Sequence, residues 1–355
     1  MGRPHFASRD GEQNHGGAAH RRSSSGANVA FTLLLLTSCL LPAHGIFAMT
    51  PVILSTDIGN EIDDQWVVVY ALTNPQVEVL GVISAHAPTV SPPAAHTTYR
   101  ILVDVVETRL QMQSHPPLFE GASLPLEDRT TPRASDGVNF IIKASQRFSQ
   151  DNRLTLLTIG AVTDAASAII IDPTIVDRIR IVDMGFEKWP EGRDEFNVAN
   201  DVKAMQVIVD SGVPLVIGCG DLCRAHLALS LGQAKELVST HGPVGRWLWD
   251  DFQAWYYRIV KPLRKEDFSR PWIIWDNVVM AYVLGMTTQV EYPRPRLRDD
   301  MTFEPIRTDK KITWITSVDE KRLWADFIEK LDGYQRTHAV REVGSRTLPT
   351  WLSPP

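Results

Sequence analysis

Residues 55–66 read STDIGNEIDDQW, directly behind the apolar run Val52-Ile53-Leu54. Asp57, Glu61, Asp63 and Asp64 crowd into this short stretch, where a buried strand would end. Like charges at that density repel and are costly to desolvate, so they persist only when solvated, protonated or bound to a cation. On either side, 52–54 has strand character and 65–72 reads as a helix closed by Asn74-Pro75. The alternation continues with strands at 77–84, 154–159, 179–184 and 214–217, and helices at 97–112, 163–171 and 202–209. Strands that are apolar on both faces, alternating with helices, define an α/β fold: an open, mostly parallel sheet with helices on both faces. Ligands of such sheets sit beyond the carboxyl ends of the strands, which is where Asp57 falls. Beyond residue 217 the pattern turns helical, at 224–238, 245–259 and 276–284, followed by a hairpin over 289–315 and a last helix over 319–331.

The 355 residues are 44% hydrophobic and 22% charged, which is ordinary globular composition with material for a large core. A net charge of -6 gives no footprint for a nucleic-acid polymer, so a small-molecule partner is expected. Residues 1–48 differ from the rest: a polar segment ends in His20-Arg21-Arg22, and an apolar run follows over 29–41. This is the pattern of a signal peptide, too short for a permanent span, and implies export to the periplasm or beyond with no integral span in the mature chain. Leu36-Thr37-Ser38-Cys39 also resembles a lipobox, and a start at Met49 would instead leave the protein cytoplasmic. The body is read as one domain, 49–335, with a C-terminal tail at 336–355. Cys219 and Cys223 lack matching histidines for a zinc site and are expected as semi-buried thiols.

Asp57 at a strand end and Asp63-Asp64 opening the next helix, where the helix dipole favours negative charge, offer several anionic oxygen ligands without histidine or thiolate. That donor set selects a hard cation, calcium or magnesium. Capping of the helix is the plainer use of Asp63-Asp64.

STDIGNEIDD resembles the aspartate-rich signature of the nucleoside hydrolase family, inosine/uridine-preferring type, and it does not stand alone. Residues 156–164, LLTIGAVTD, are similar to the family's strand and GPLTN segment. Met184-Gly185 with Glu195-Phe196-Asn197 and Asp201 resembles its MGG and EFN segments, and Trp275-Asp276 before Val278-Val279-Met280-Ala281-Tyr282 its HD-plus-helix segment. The order is kept from residue 52 to 332. The resemblance implies a calcium-dependent (Ca2+) hydrolase that splits a ribonucleoside or related N-riboside into ribose and base. It assigns calcium ligation to Asp57, Asp64, Asp276 and the Ile159 carbonyl, with Asp57 also the base that takes a proton from water. Asp63, Glu195 and Asn197 would hold the ribose hydroxyls. Such chemistry passes through an oxocarbenium-like state that nearby carboxylates stabilise, and calcium acidifies water only weakly, so a base is needed. Related enzymes often form homo-oligomers.

The chain also departs from the family pattern. Ser55 replaces the first aspartate, and the loop before Asp63-Asp64 is two residues longer, so the strand is taken as the anchor and the insertion as Asn60-Glu61. A gap-free alignment would put Gly59 at the base position and imply a non-catalytic nucleoside- or sugar-binding protein of the same fold. Trp275 stands where purine-handling members carry the histidine that protonates the departing base; it is expected to stack on an aromatic leaving group, or else to be core. His86, at the end of a strand, is a candidate substrate contact or a structural histidine. A phosphatase with an aspartate nucleophile is a third reading, for which no matching lysine and threonine set is evident.

Overall fold

The computed structural model describes residues 49–193, 195–257 and 271–343. Residues 1–48, with the expected signal segment and Cys39, and residues 344–355 of the expected tail lie outside the described residues. The strands are β1 (Thr50–Thr56), β2 (Val77–Ser84), β3 (Leu118–Glu120), β4 (Leu154–Ile159), β5 (Ile179–Met184), β6 (Leu215–Gly218), β7 (Ala228–Leu229), β8 (Trp272–Ile273), β9 (Thr287–Pro293), β10 (Arg296–Leu297), β11 (Phe303–Glu304) and β12 (Lys311–Val318). Eight of them form one sheet in the order β3-β2-β1-β4-β5-β6-β12-β9, parallel throughout except for the antiparallel edge strand β9. The chain runs outward from β1 to β3, then returns across β1 to β4. The order therefore reverses between β1 and β4, the topological switch point where such sheets open a crevice for ligands.

Two local features hold that crevice in shape. Thr56 pairs with Ile159 at the carboxyl ends of β1 and β4, and the next residue, Gly160, packs so tightly that a Cβ there would sit 2.9 Å from the Asp57 backbone nitrogen. Only glycine permits that approach. The helix after β1, α1 (Asp63–Thr73), is buried all round, as helices between sheet and outer layer are. Its Trp66 lies 5.8 Å from Phe327 and 6.0 Å from Trp324 of the C-terminal helix Glu320–His338, and Tyr70 donates to Asp326 (2.7 Å). Deleting a buried indole of this kind typically costs about 3–5 kcal/mol, so α1 and its two leading aspartates are firmly placed.

Several helices depart from expectation. The one expected over 97–112 begins earlier, as α2 (Ala94–Val103), and ends in a wider π turn, Asp104–Arg109. The single helix expected over 224–238 is two, Gly220–His226 and Leu231–Val238, because Ser230 and Gln233 form a capping box and the intervening β7 pairs with β8. The helix expected over 245–259 is Gly242–Trp255, and Ile259 lies outside the described residues. The last helix continues to His338, into the segment expected as tail. Between α2 and β4 stand two elements with no sequence expectation, β3 and the helix Asp136–Ser145. Among the described residues no helix is long and apolar enough to cross a membrane.

Candidate active site

A cavity of about 250 Å³ opens at the switch point, lined by the last residues of β4 and β5, by the loop after β1, and by helix starts and loops farther along the chain. Asp57 follows the last residue of β1, and Asp63 and Asp64 form the first turn of α1. Asp276 immediately precedes the helix Asn277–Val283, while Glu195 and Asn197 open the short helix Phe196–Asn200. The cavity is lined by all six, together with Ile159 and Trp275. The carboxylates of Asp57, Asp63, Asp64 and Asp276 are each at most 3% exposed. Asp63 and Asp64 do not cap their helix: the capping position is Ile62, which makes no side-chain cap, and both aspartates point their charge into the protein. Gly59, the alternative base position, has φ +97° and no carboxylate, and it does not line the cavity.

The protein supplies few partners for this charge. Asp64 accepts from the Thr56 hydroxyl, and Asp63 Oδ2 from the Asp276 backbone N–H (3.2 Å). Among the described residues, Asp57 Oδ2 is buried with no hydrogen-bond partner. Burial first, and then repulsion from neighbouring carboxylates, pushes Asp57, Asp64 and Asp276 well above the usual carboxylate range; burial raises Asp63 to about 6. An orphaned carboxylate oxygen beside three mutually repelling acids is a donor set that fits a hard cation. Oxygen atoms of Asp63, Asp64 and Asp276 approach within 4.8 Å of one another, close enough to share one metal ion.

Glu195 caps its helix, accepting from the N–H groups of Asn197 (3.0 Å) and Val198 (2.9 Å); burial still raises it to about 8. Asn197 Nδ2 donates to the Met184 carbonyl (3.1 Å), which fixes the amide at the cavity wall. The tryptophans flank two buried isoleucines: Ile273 and Ile274 go into the core, whereas half-buried Trp272 and Trp275 line the cavity. Arg224 lies 5.5 Å above the Trp275 ring, and the Cys223 thiol donates to the Trp275 carbonyl (3.4 Å). Cys219 and Cys223 are both buried free thiols.

His86 is the one candidate that the structure does not bring to this cavity. It lines a separate, more apolar one with Pro88, Pro93, Leu124 and Asn200. There its Nε2 meets the Thr163 hydroxyl (2.9 Å), which in turn donates to Asp201 (2.6 Å). Burial lowers the His86 pKa, so the ring sits in this network as a neutral spacer. Conversely, Glu61, Glu187, Arg224 and Trp272 line the acid cavity, and none of them has a site role expected from the sequence. Glu61 lay in the decisive stretch itself, as half of the insertion; Trp272 and Trp275 share a spacing that the apolar residues between them mask.

A profile of the inosine-uridine preferring nucleoside hydrolase family matches residues 52–325. An uncharacterized protein of Schizosaccharomyces pombe is 28% identical over 225 residues, 56% of this chain and 70% of that protein. Among solved structures, the purine-preferring ribonucleoside hydrolase from Gardnerella vaginalis superposes with a TM-score of 0.66 at 19% identity, covering 81% of this chain and 100% of that one. The inosine-uridine preferring nucleoside hydrolase from Bacillus anthracis gives 0.58 at 17% identity, with coverage of 81% and 100%. These likenesses establish a shared fold. The chain belongs to the inosine-uridine preferring nucleoside hydrolase family. It is a hydrolase acting on N-glycosyl compounds, a divergent member of a metal-dependent family, with a buried aspartate cluster able to take a metal.

Proposed function

We propose that this chain hydrolyses the N-glycosidic bond of a ribonucleoside or related N-riboside in a calcium-dependent reaction. The observation that carries the reading is the orphaned Asp57 Oδ2 beside Asp63, Asp64 and Asp276 at the switch point of the sheet. Asp57, Asp64, Asp276 and the Ile159 carbonyl would hold the ion. Calcium bound there supplies positive charge that neutralises the carboxylates and orients water and the ribose diol.

The chain's own groups then divide the work. Asp57 takes the proton of the attacking water, and Asp63 accepts hydrogen bonds from the ribose 2′- and 3′-hydroxyls. Glu195 and Asn197, rigid because one caps a helix and the other is tied to Met184, help hold the ribose hydroxyls. As the bond to the base breaks, positive charge grows on the anomeric carbon and ring oxygen, and the surrounding carboxylates stabilise it without reorganising. Trp275 gives an aromatic leaving group a flat apolar wall.

The reading is tested by reducing-sugar release from purine and pyrimidine ribosides, first with calcium and then with chelator. Calcium-dependent ribose release is expected. Calcium binding without release from any riboside would make the chain a binding protein instead.

A further inference from the structure

The hydrolase reading leaves Glu61, Trp272 and Arg224 of the cavity wall without a role, and the residue that would protonate a departing base is a tryptophan. Glu61 Oε1 receives two indole N–H groups, from Trp272 (2.5 Å) and Trp275 (3.1 Å). Among the described residues no hydrogen bond falls on its Oε2. The two tryptophans thus grip a carboxylate by one oxygen and leave the other for a ligand. Arg224, the one cationic side chain on the described wall, is already committed to ion pairs with Glu187 and with Asp221 (2.8 Å). No histidine, lysine or tyrosine lines this cavity among the described residues, so no such side chain offers a proton to a leaving group.

Neutral nucleobases depart as anions unless protonated, and a general acid there is typically worth about 10² to 10⁴ in rate. An N-ribosylated pyridinium-type ring needs none. The water oxygen bonds to the anomeric carbon, the electron pair of the carbon–nitrogen bond goes to the ring nitrogen, and the water proton goes to Asp57. The ring leaves neutral. A carboxylate between two indoles is also what binds an aromatic cation, through charge pairing and cation–π attraction. Resting on the hydrolase reading above, we infer that the site takes N-ribosides whose leaving group is a cationic aromatic ring, with Glu61 as its counter-ion between Trp272 and Trp275. Because the ring loses its charge as the bond breaks, Glu61 holds the substrate better than the transition state. Its removal therefore raises KM rather than lowering kcat.

The test compares ribose release, with calcium, from a 3-carbamoylpyridinium riboside and from inosine and uridine, using wild type, Glu61→Gln and Glu61→Asp. Wild type is expected to favour the pyridinium riboside by about 10² or more in kcat/KM. Glu61→Gln should raise the KM ratio of cationic to neutral substrate about tenfold without lowering kcat for the cation, and the charge-retaining Glu61→Asp should restore most of that ratio. Tryptophan fluorescence quenching by 1-methyl-3-carbamoylpyridinium, set against neutral nicotinamide, gives a binding readout that needs no turnover; the cation should bind more tightly, and less so in Glu61→Gln. Equal or better cleavage of inosine and uridine, or equal binding of the two probes, overturns the inference. So does a Glu61→Gln enzyme that loses kcat on neutral nucleosides alone, which would make Glu61 their proton donor. If neither class of riboside is cleaved, the hydrolase reading fails, and the fluorescence comparison still decides whether this wall binds aromatic cations.

Discussion

Two sets of buried aspartates lie at strand ends and helix starts around the same sheet and differ in how the chain meets their oxygens. Asp201 is satisfied by the protein: Oδ2 accepts from the Leu126 N–H (2.8 Å) and the Thr163 hydroxyl, and Oδ1 from the Ala204 N–H (2.9 Å). Asp164 likewise accepts from the Ala122 N–H (3.1 Å) and the Ser135 hydroxyl (2.5 Å). Each ties a distant loop to a helix end. Asp57, Asp63, Asp64 and Asp276 are as deeply buried, yet they receive little from the chain and face one another. Burial alone does not separate scaffold from site; the state of the lone pairs does.

Removing one acid from each set should give opposite outcomes. Asp57→Asn should cost about 10² to 10⁴ in kcat, the usual worth of a general base. The same change should raise the metal-free melting temperature at neutral pH, because it relieves a buried charge that its neighbours repel. A drop in melting temperature would move Asp57 into the scaffold class. Calcium at about a hundred times its Kd should stabilise wild type by about 2.7 kcal/mol in thermal melts. Asp276→Asn should lose most of that shift, and Asp164→Asn should keep it.

Asp201→Asn should show the opposite profile to Asp57→Asn. Losing charged acceptors from buried donors costs about 1–3 kcal/mol in denaturant melts, with kcat nearly unchanged. Asp183 stands between the two sets: among the described residues it accepts only from the Thr158 hydroxyl (2.5 Å), and burial raises it to about 7. Its folded-state pKa lies above the unfolded one, so its contribution is whole below about pH 4 and is lost as pH rises through about 7. Asp183→Asn should flatten that part of the metal-free stability curve, read as melting temperature against pH. The smallest effect is expected at Trp275→Ala, which should raise KM for aromatic leaving groups about three- to tenfold and leave calcium affinity intact, consistent with the loss of one aromatic contact.

How much of this could be read in the chain depended on how local each signal was. The parallel strands β1, β2, β4, β5 and β6 are continuous apolar runs that announce themselves. β3 is three half-buried residues behind Pro116-Pro117 and carries no periodicity. The split of 224–238 was written in Ser230 and Gln233, a capping box that the surrounding helical composition hid. At the site, Asp57, Asp63 and Asp64 were legible because they are adjacent in sequence and follow a strand. Ile159, Glu195, Asn197 and Asp276 required the family resemblance. Glu61, Trp272 and Arg224 meet only because the fold brings the β1 loop against β8 and the helix Gly220–His226, and no spacing encodes that. His86 sat at a strand end like Asp57, but the chain after β2 carries it to Thr163 and away from the acids.

The switch point has a temporal side. The proposed calcium ligands come from the ends of β1 and β4 and from a helix far along the chain, so they meet only after almost the whole sheet has closed. A cation arriving then is a late bolt rather than a nucleus. It should leave the refolding rate nearly untouched and slow unfolding, as stabilising contacts absent from the transition state do. Chelation would thus shorten the lifetime of the folded enzyme while its speed of assembly stays the same.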